Sequence, residues 1–303
     1  MDSKNILSIE PESDGMGSLD EMLSITLRLL ERCNYDCTYC TFHDNKIPMV
    51  DVSFWKNVID KIAEETNRDY YEFYIHGGEP SIYKGFNEIM KYIDSKFDNY
   101  NVDIQTNLSM DIDLYMDVPK SCRYYPSYHH TGDYENFKSK IVRLHNKGLL
   151  EAVDFMMEPY KDRVDAINHI ALYNDLSTIE GLRIRPRMIL PCINKEYLDV
   201  MKAYKHHGSR KFNITQKDNT VISATEDVIS GIKTRGMMCN AKRNKLVIDY
   251  DGRICYCMTH YMKSKDLGNY NINNCDLGKL TSTPTMCFWK TCNCEIGLKK
   301  WKR

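Results

Sequence analysis

Apolar positions along this chain follow two alternating periods. Short runs rich in β-branched and aromatic residues recur at 22–29, 70–75, 101–106, 123–127, 152–157 and 182–190, and their length and composition predict strands. Between them the apolar residues fall at helical spacing. One helix is predicted from a Ser53 cap to about Asn67, with Phe54, Val58, Ile59 and Ile62 on one face. Others are predicted over Phe86–Phe97, from an Asp133 cap to Gly148, over Arg163–Leu176, and over Glu196–His207 with Gly208 as its stop. Strand–helix repetition of this kind implies a parallel sheet with right-handed crossovers. Six such units predict an α/β fold, a partial (β/α)6 TIM-like barrel of parallel strands whose chemistry sits at the C-terminal strand ends. After about residue 209 turns become frequent and cysteines gather. The expected organisation is an N-terminal extension (1–21), a barrel (22–209), a linker (210–236) and a small cysteine-rich β-hairpin domain (237–303).

Charge narrows the function classes. Lys and Arg number 41 against 42 Asp and Glu, a net charge of −1, which gives no support to direct DNA binding or to a polybasic membrane patch. No apolar run reaches the roughly 18–20 residues that cross a bilayer. Residues Met1 to Asp20 are acidic and polar, unlike a signal peptide, so a cytoplasmic location is expected. Twelve cysteines in such a chain point to metal or catalytic use rather than to disulfides.

The cysteines cluster at two places. Cys33-Asn-Tyr-Asp-Cys37-Thr-Tyr-Cys40 has the spacing C-x3-C-x2-C directly after the first strand. Three thiolates on one loop suit three corners of a cubane iron–sulfur cluster and leave one iron open. The alternative is a zinc site completed by a residue such as His43. Farther on, Cys239, a strand over Lys245–Asp249, a turn at Asp251-Gly252 and a return strand to Cys257 form the pattern C-x12-G-x4-C. Cys287-x4-Cys292-x-Cys294 follows. Cys239, Cys257, Cys292 and Cys294 together make four thiolates for one auxiliary iron–sulfur cluster, with Cys287 competing with Cys292, and with Cys255 and Cys275 spare. A four-thiolate zinc ribbon is the competing reading, although the C-x2-C knuckles it normally uses are absent here.

The cysteine loop, followed by Gly77-Gly78-Glu79-Pro80 at the end of the second strand, resembles the radical S-adenosylmethionine (radical SAM) superfamily. The resemblance covers roughly residues 22–200. It implies a [4Fe-4S] cluster on Cys33, Cys37 and Cys40, whose open iron chelates S-adenosylmethionine. Reduction then cleaves the sulfonium to a 5′-deoxyadenosyl radical that abstracts hydrogen from substrate. By the same resemblance Tyr39 lies near the adenine, and Gly77, Gly78, Glu79 and Pro80 meet the methionine amino group. Thr106 and Asn107 form the third-strand element, and Ser127 reaches the ribose or the carboxylate. The family's glycine after Thr-Asn is Leu108 here. The C-terminal cysteine pattern is similar to the twitch, or shortened SPASM, extension with one auxiliary cluster.

Other residues carry weaker signals. Arg183, Arg185 and Arg187 alternate along the sixth strand, and Arg185 and Arg187 are candidates for holding a substrate carboxylate or phosphate. Cys192 is a candidate hydrogen-atom donor, and Tyr128-His129-His130 follows the fourth strand at the same mouth. The expected activity is that of an oxidoreductase or isomerase acting on a small polar metabolite, nucleoside or peptide by oxidation, epimerisation or rearrangement. A flavodoxin or ferredoxin is the expected reductant. The short segment before the first strand favours a small molecule over a leader-guided peptide; a modified thymidine in viral DNA is a further alternative substrate. A non-enzymatic iron–sulfur electron carrier or zinc scaffold is the contrasting class.

Overall fold

A computed structural model describes residues 5–11, 22–40, 44–157, 160–188, 211–225, 232–257, 270–287 and 300–301. The expected helix at Glu196–His207, and Cys192, Cys292 and Cys294, lie outside the described residues.

The predicted strands become consecutive members of one sheet. After β1 (Ile6–Pro11), strands β2 (Met22–Arg28), β3 (Tyr70–His76), β4 (Tyr100–Thr106), β5 (Cys122–Tyr128), β6 (Val153–Met157) and β7 (Ile184–Met188) lie side by side in sequence order, all parallel. Helices α1 (Val52–Glu65), α2 (Phe86–Lys96), α3 (Ile112–Met116), α4 (Tyr134–Asn146) and α5 (Arg163–Leu176) occupy the crossovers. Five-residue α3 carries too short a pattern to be read from sequence.

The cap of α1 differs from expectation. Asp51, not Ser53, is the N-cap: its carboxylate accepts from the Ser53 backbone N–H at 2.9 Å. Trp55, rather than half-buried Phe54, completes the buried stripe of Val58, Ile59 and Ile62. Asp133 caps α4 as expected, and Gly148 beyond its end takes a φ of +71°.

Each strand divides its residues between two environments. In β2, Leu23, Ile25 and Leu27 join the main apolar core with the α1 stripe. The alternating Ser24, Thr26 and Arg28 are equally inaccessible, yet polar. The same alternation places Glu72, Asp103, Ser127 and Asp154 on the inner face of the curved sheet. The inside of this partial barrel is therefore polar, an arrangement suited to a ligand rather than to a packed core.

The C-terminal hairpin joins the barrel itself. Strand β11 (Lys245–Ile248) pairs parallel to β2 and carries β12 (Ile254–Cys255) antiparallel at the sheet edge. Gly252 turns between them at φ +82°. A second sheet is built from β1, β8 (Lys211–Gln216), β9 (Val221–Thr225), β10 (Met238–Cys239), β13 (Thr285–Met286) and β14 (Lys300–Trp301). Segments 1–21 and 210–236, in which the sequence reading placed no element, thus contribute β1, β8 and β9. β8 and β9 form a local hairpin, while β1 pairs with β8 and β14, so a short stretch of weak pattern is held by partners far away in sequence.

Arg28 ties the hairpin to the barrel. Its guanidinium meets Asp249 at 3.0 Å and Glu31 at 2.7 Å, while Arg253 meets the other Asp249 oxygen at 3.2 Å. Burial of the Glu31 and Asp249 carboxyls raises their pKa values, and the Arg28 charge pulls both back down.

Candidate active site at the strand mouth

The cysteine loop leaves β2 at its C-terminal end and is clamped by the turn after β3. Gly78 N–H donates to the Leu30 carbonyl at 2.9 Å, and Glu79 N–H donates to that of Arg32 at 2.8 Å. This contact accounts for the two glycines. A Cβ on Gly78 would lie 1.9 Å from the Arg32 carbonyl oxygen, and one on Gly77, whose φ is +152°, 2.3 Å from that of Leu30. The two glycines thus allow a close backbone approach to the cysteine loop.

None of the three loop cysteines is in a disulfide. Cys40 N–H closes a turn onto the Cys37 carbonyl at 2.9 Å. The Cys33 sulfur accepts from Tyr35 N–H at 3.4 Å and has the Asn107 amide 4.0 Å away. Asn107 also donates to Asn34 Oδ1 at 3.0 Å, and Asn34 donates to Ser109 Oγ at 2.7 Å. The end of β4 therefore grips the loop within its cysteine motif. Burial pushes the Cys33 thiol up to about 11, and the charges of Glu79, Cys37 and Cys40 push the same way. Three thiolates at this spacing repel one another, so they suit a positively charged metal centre, and the donor set fits iron–sulfur ligation. Among the described residues no three donors close round the position of a single metal ion.

Glu79 is committed to its own chain. It is only 2% exposed. Oε1 accepts from Ser81 N–H, Ser81 Oγ and Thr106 Oγ1 at 3.0, 2.6 and 2.6 Å; Oε2 accepts from Asn107 N–H at 2.6 Å. Burial raises its pKa against these four donors. The Glu79 carboxylate joins the ends of β3 and β4, and Thr106 and Asn107 are brought to it. Leu108 adopts the left-handed φ of +54° while its side chain is buried in the core, and Lys140 Nζ holds the Leu108 and Met110 carbonyls at 2.8 and 2.6 Å.

Arg185 and Arg187 converge on Asp154, an inner-face residue without a sequence motif around it. Asp154 accepts Arg185 bidentately at 2.7 and 2.8 Å and Arg187 Nε at 2.9 Å. Gln105 Nε2 bridges Asp154 and Ser127 Oγ at 3.2 and 3.3 Å, and Arg185 lies over the Tyr125 ring at 4.6 Å. The available signal was a lone acid within the apolar strand Val-Asp-Phe-Met-Met. Arg183 points elsewhere and pairs with Glu151. Near the mouth, Tyr39 Oη is 2.5 Å from His129 Nδ1, and Cys37 Sγ is 3.7 Å from the same nitrogen.

In the C-terminal region, buried Cys239 packs with Cys257. Cys287 follows β13 and exchanges backbone hydrogen bonds with Gly236 and Met237, just before β10, at 2.8 Å. Its sulfur lies 3.4 Å from Thr234 Oγ1. Cys275 packs against the barrel core instead, and Cys122 is buried within β5.

The fold is α/β with a mostly parallel eight-stranded sheet and a cysteine loop at its mouth. Residues 27–171 are similar to the Radical SAM superfamily. The chain is similar to the sporulation killing factor maturation protein SkfB of Bacillus subtilis, 36% identical over 90 residues that cover 28% of this chain and 21% of that protein. It is also similar to an S-adenosylmethionine-dependent nucleotide dehydratase of Selenomonas ruminantium, 31% identical over 68 residues, covering 22% and 24% respectively. The chain thus spans about a quarter or less of the length of these two relatives. Among solved structures, anSMEcpe with bound AdoMet and Kp18Cys peptide superposes with a TM-score of 0.55 at 15% identity, covering 86% of this chain and 80% of that one; this likeness concerns the fold. No helix among the described residues is long and apolar enough to cross a membrane.

Proposed function

We propose that this protein is a radical SAM enzyme that reductively cleaves S-adenosylmethionine and takes hydrogen from a small polar metabolite, nucleoside or peptide. The observation that carries this reading is the Cys33–Cys37–Cys40 loop at the C-terminal end of β2, locked by its backbone to the Gly77-Gly78 turn. When bound, the cluster and S-adenosylmethionine supply one-electron cleavage of a sulfonium bond. The chain's residues bind, orient and exclude water. Cys33, Cys37 and Cys40 hold the cluster, and Tyr39 flanks the adenine. The turn ending in Glu79 and Pro80, with Thr106, Asn107 and Ser127, shapes the S-adenosylmethionine pocket. In this reading Arg185 and Arg187 face the substrate. Cys239 and Cys257, with Cys294 and either Cys292 or Cys287, hold one auxiliary cluster in a twitch-like C-terminal domain; the backbone bond that ties Cys287 to Met237, close to Cys239 in the chain, supports its candidacy. A reductant such as a flavodoxin or ferredoxin supplies electrons, and Cys192 is the candidate donor if the outcome is epimerisation.

The substrate range follows from two features. The lumen is polar, and the named relatives include one protein called a nucleotide dehydratase and one called a sporulation killing factor maturation protein. The test is anaerobic reconstitution. Iron and sulfide are counted, and 5′-deoxyadenosine is measured after dithionite and S-adenosylmethionine are added. A Cys33→Ala, Cys37→Ala, Cys40→Ala variant should lose that product. Reductive cleavage by the triple variant would defeat the reading, and zinc in place of iron with sulfide would replace it with a structural site.

A further inference from the structure

We infer that His129 is the hydrogen-bond donor to the Cys37 thiolate and that it tunes the redox potential of the cluster on the cysteine loop. This rests on the functional reading above.

His129 directly follows β5, and Tyr128 anchors it. The Tyr128 ring packs against Phe155 at 5.1 Å and Phe137 at 5.3 Å within the core. The imidazole is thereby projected from the barrel wall into the cysteine loop. There it lies nearly coplanar with Tyr39, ring centroids 6.1 Å and planes 14° apart, and it meets Tyr35 edge-on at 6.0 Å and 86°. Its Nδ1 faces two loop atoms at once, Tyr39 Oη at 2.5 Å and Cys37 Sγ at 3.7 Å.

Ligation decides the tautomer. A metal-bound thiolate only accepts hydrogen bonds, whereas a tyrosine hydroxyl turns to donate or accept. Once Cys37 is a thiolate, the Nδ1–H tautomer gives its proton to the sulfur in a charge-assisted contact. Tyr39 then accepts a share of that proton instead of competing for the nitrogen. An N–H directed at a cluster sulfur stabilises the reduced, more negative state and so raises the potential; hydrogen bonds to the sulfurs are among the levers that set cluster potentials. Sequence alone shows His129 as one of two adjacent histidines in a loop. The packing of Tyr128 and the two loop tyrosines singles it out.

The experiment is a redox titration of the reconstituted full-length protein without S-adenosylmethionine, followed by electron paramagnetic resonance. The signal monitored is the one missing from the Cys33→Ala, Cys37→Ala, Cys40→Ala variant. His129→Ala should lower its midpoint potential with iron content unchanged. His129→Gln, whose amide N–H can reach the sulfur, should fall between the two. Tyr39→Phe should not lower the potential, because the imidazole N–H is then undivided. An unmoved potential in both His129 variants would overturn the inference, as would a fall in Tyr39→Phe that matched His129→Ala. Loss of the cluster from both His129 variants would also overturn it, by assigning His129 to holding the loop. Absence of the signal from the unmodified protein would defeat the functional reading itself, an outcome seen before any His129 variant is made.

Discussion

The Glu79 carboxylate accepts the backbone N–H of Asn107 at 2.6 Å, so the turn after β3 is bonded directly to the end of β4. Glu79 also takes Ser81 and Thr106, and Asn107 reaches on to Asn34 between Cys33 and Cys37. One buried carboxylate therefore organises three segments of the mouth. Glu79→Gln places an amide N–H where a donor already points. It should lower stability by about 1–3 kcal/mol, the cost of an unmet buried polar group. Urea unfolding of the metal-free protein checks this, because no ligand then contributes. Unchanged stability would return Glu79 to a purely ligand-facing role.

Gly78 and Gly148 should respond differently to alanine. At Gly148 a Cβ has nothing within 4 Å, and only the φ of +71° opposes it. The cost there is about 1–2 kcal/mol of backbone strain. At Gly78 the Cβ would sit 1.9 Å from a backbone oxygen of the cysteine loop, so the loop must move. Gly78→Ala should reduce reconstituted iron as well as stability, whereas Gly148→Ala should leave iron unchanged. Iron analysis of the two variants side by side separates these outcomes.

Leu108 should invert the usual order of substitutions. Leu108→Ala loses core burial and keeps the strained φ of +54°. Leu108→Gly loses the same burial but relieves the strain, worth about 1–2 kcal/mol. Glycine should therefore be the milder change, in contrast to its greater cost at ordinary positions. Denaturation midpoints of the two variants decide it.

Arg28 and Asp249 should be strongly coupled. Both are buried and joined at 3.0 Å. Asp249→Ala leaves the Arg28 charge poorly compensated and should cost about 3–5 kcal/mol. Arg28→Met combined with Asp249→Ala should recover part of that loss. A double-mutant cycle with no coupling energy would show that the hairpin is held by packing alone.

His169 predicts an acid-sensitive term. Burial, aided by the charge of His130, holds its pKa down to about 3, below the ordinary 6.5. The unfolded chain therefore binds a proton below pH 6.5 that the folded chain refuses, and stability falls as pH drops from 6.5 toward 3. Between pH 7.5 and 5.5 this amounts to about 1.4 kcal/mol. Asp103 acts in the opposite sense: burial raises it to about 7, so its contribution falls as pH rises from the ordinary 3.8 toward 7. His169→Phe, which keeps the ring packing against Phe155, should remove the His169 slope and leave that of Asp103. Urea midpoints at the two pH values measure the difference.

The sequence by itself determined the strand–helix alternation, most helix limits and the cysteine loop. Those signals are local: apolar period, capping residues and short cysteine spacing act within one or two turns of chain. Helix Arg163–Leu176 and the Asp133 cap are found where the pattern put them. The tertiary structure alone decided the partners. No local signal tells that β11 adds to the barrel beside β2, that β1 pairs with β8, or that Asp154 gathers Arg185 and Arg187. The same holds for the two glycines, which meet the Leu30 and Arg32 carbonyls at the end of the preceding strand. Such relationships depend on register between distant segments, and a strand's own residues specify which faces are buried but not what lies opposite them.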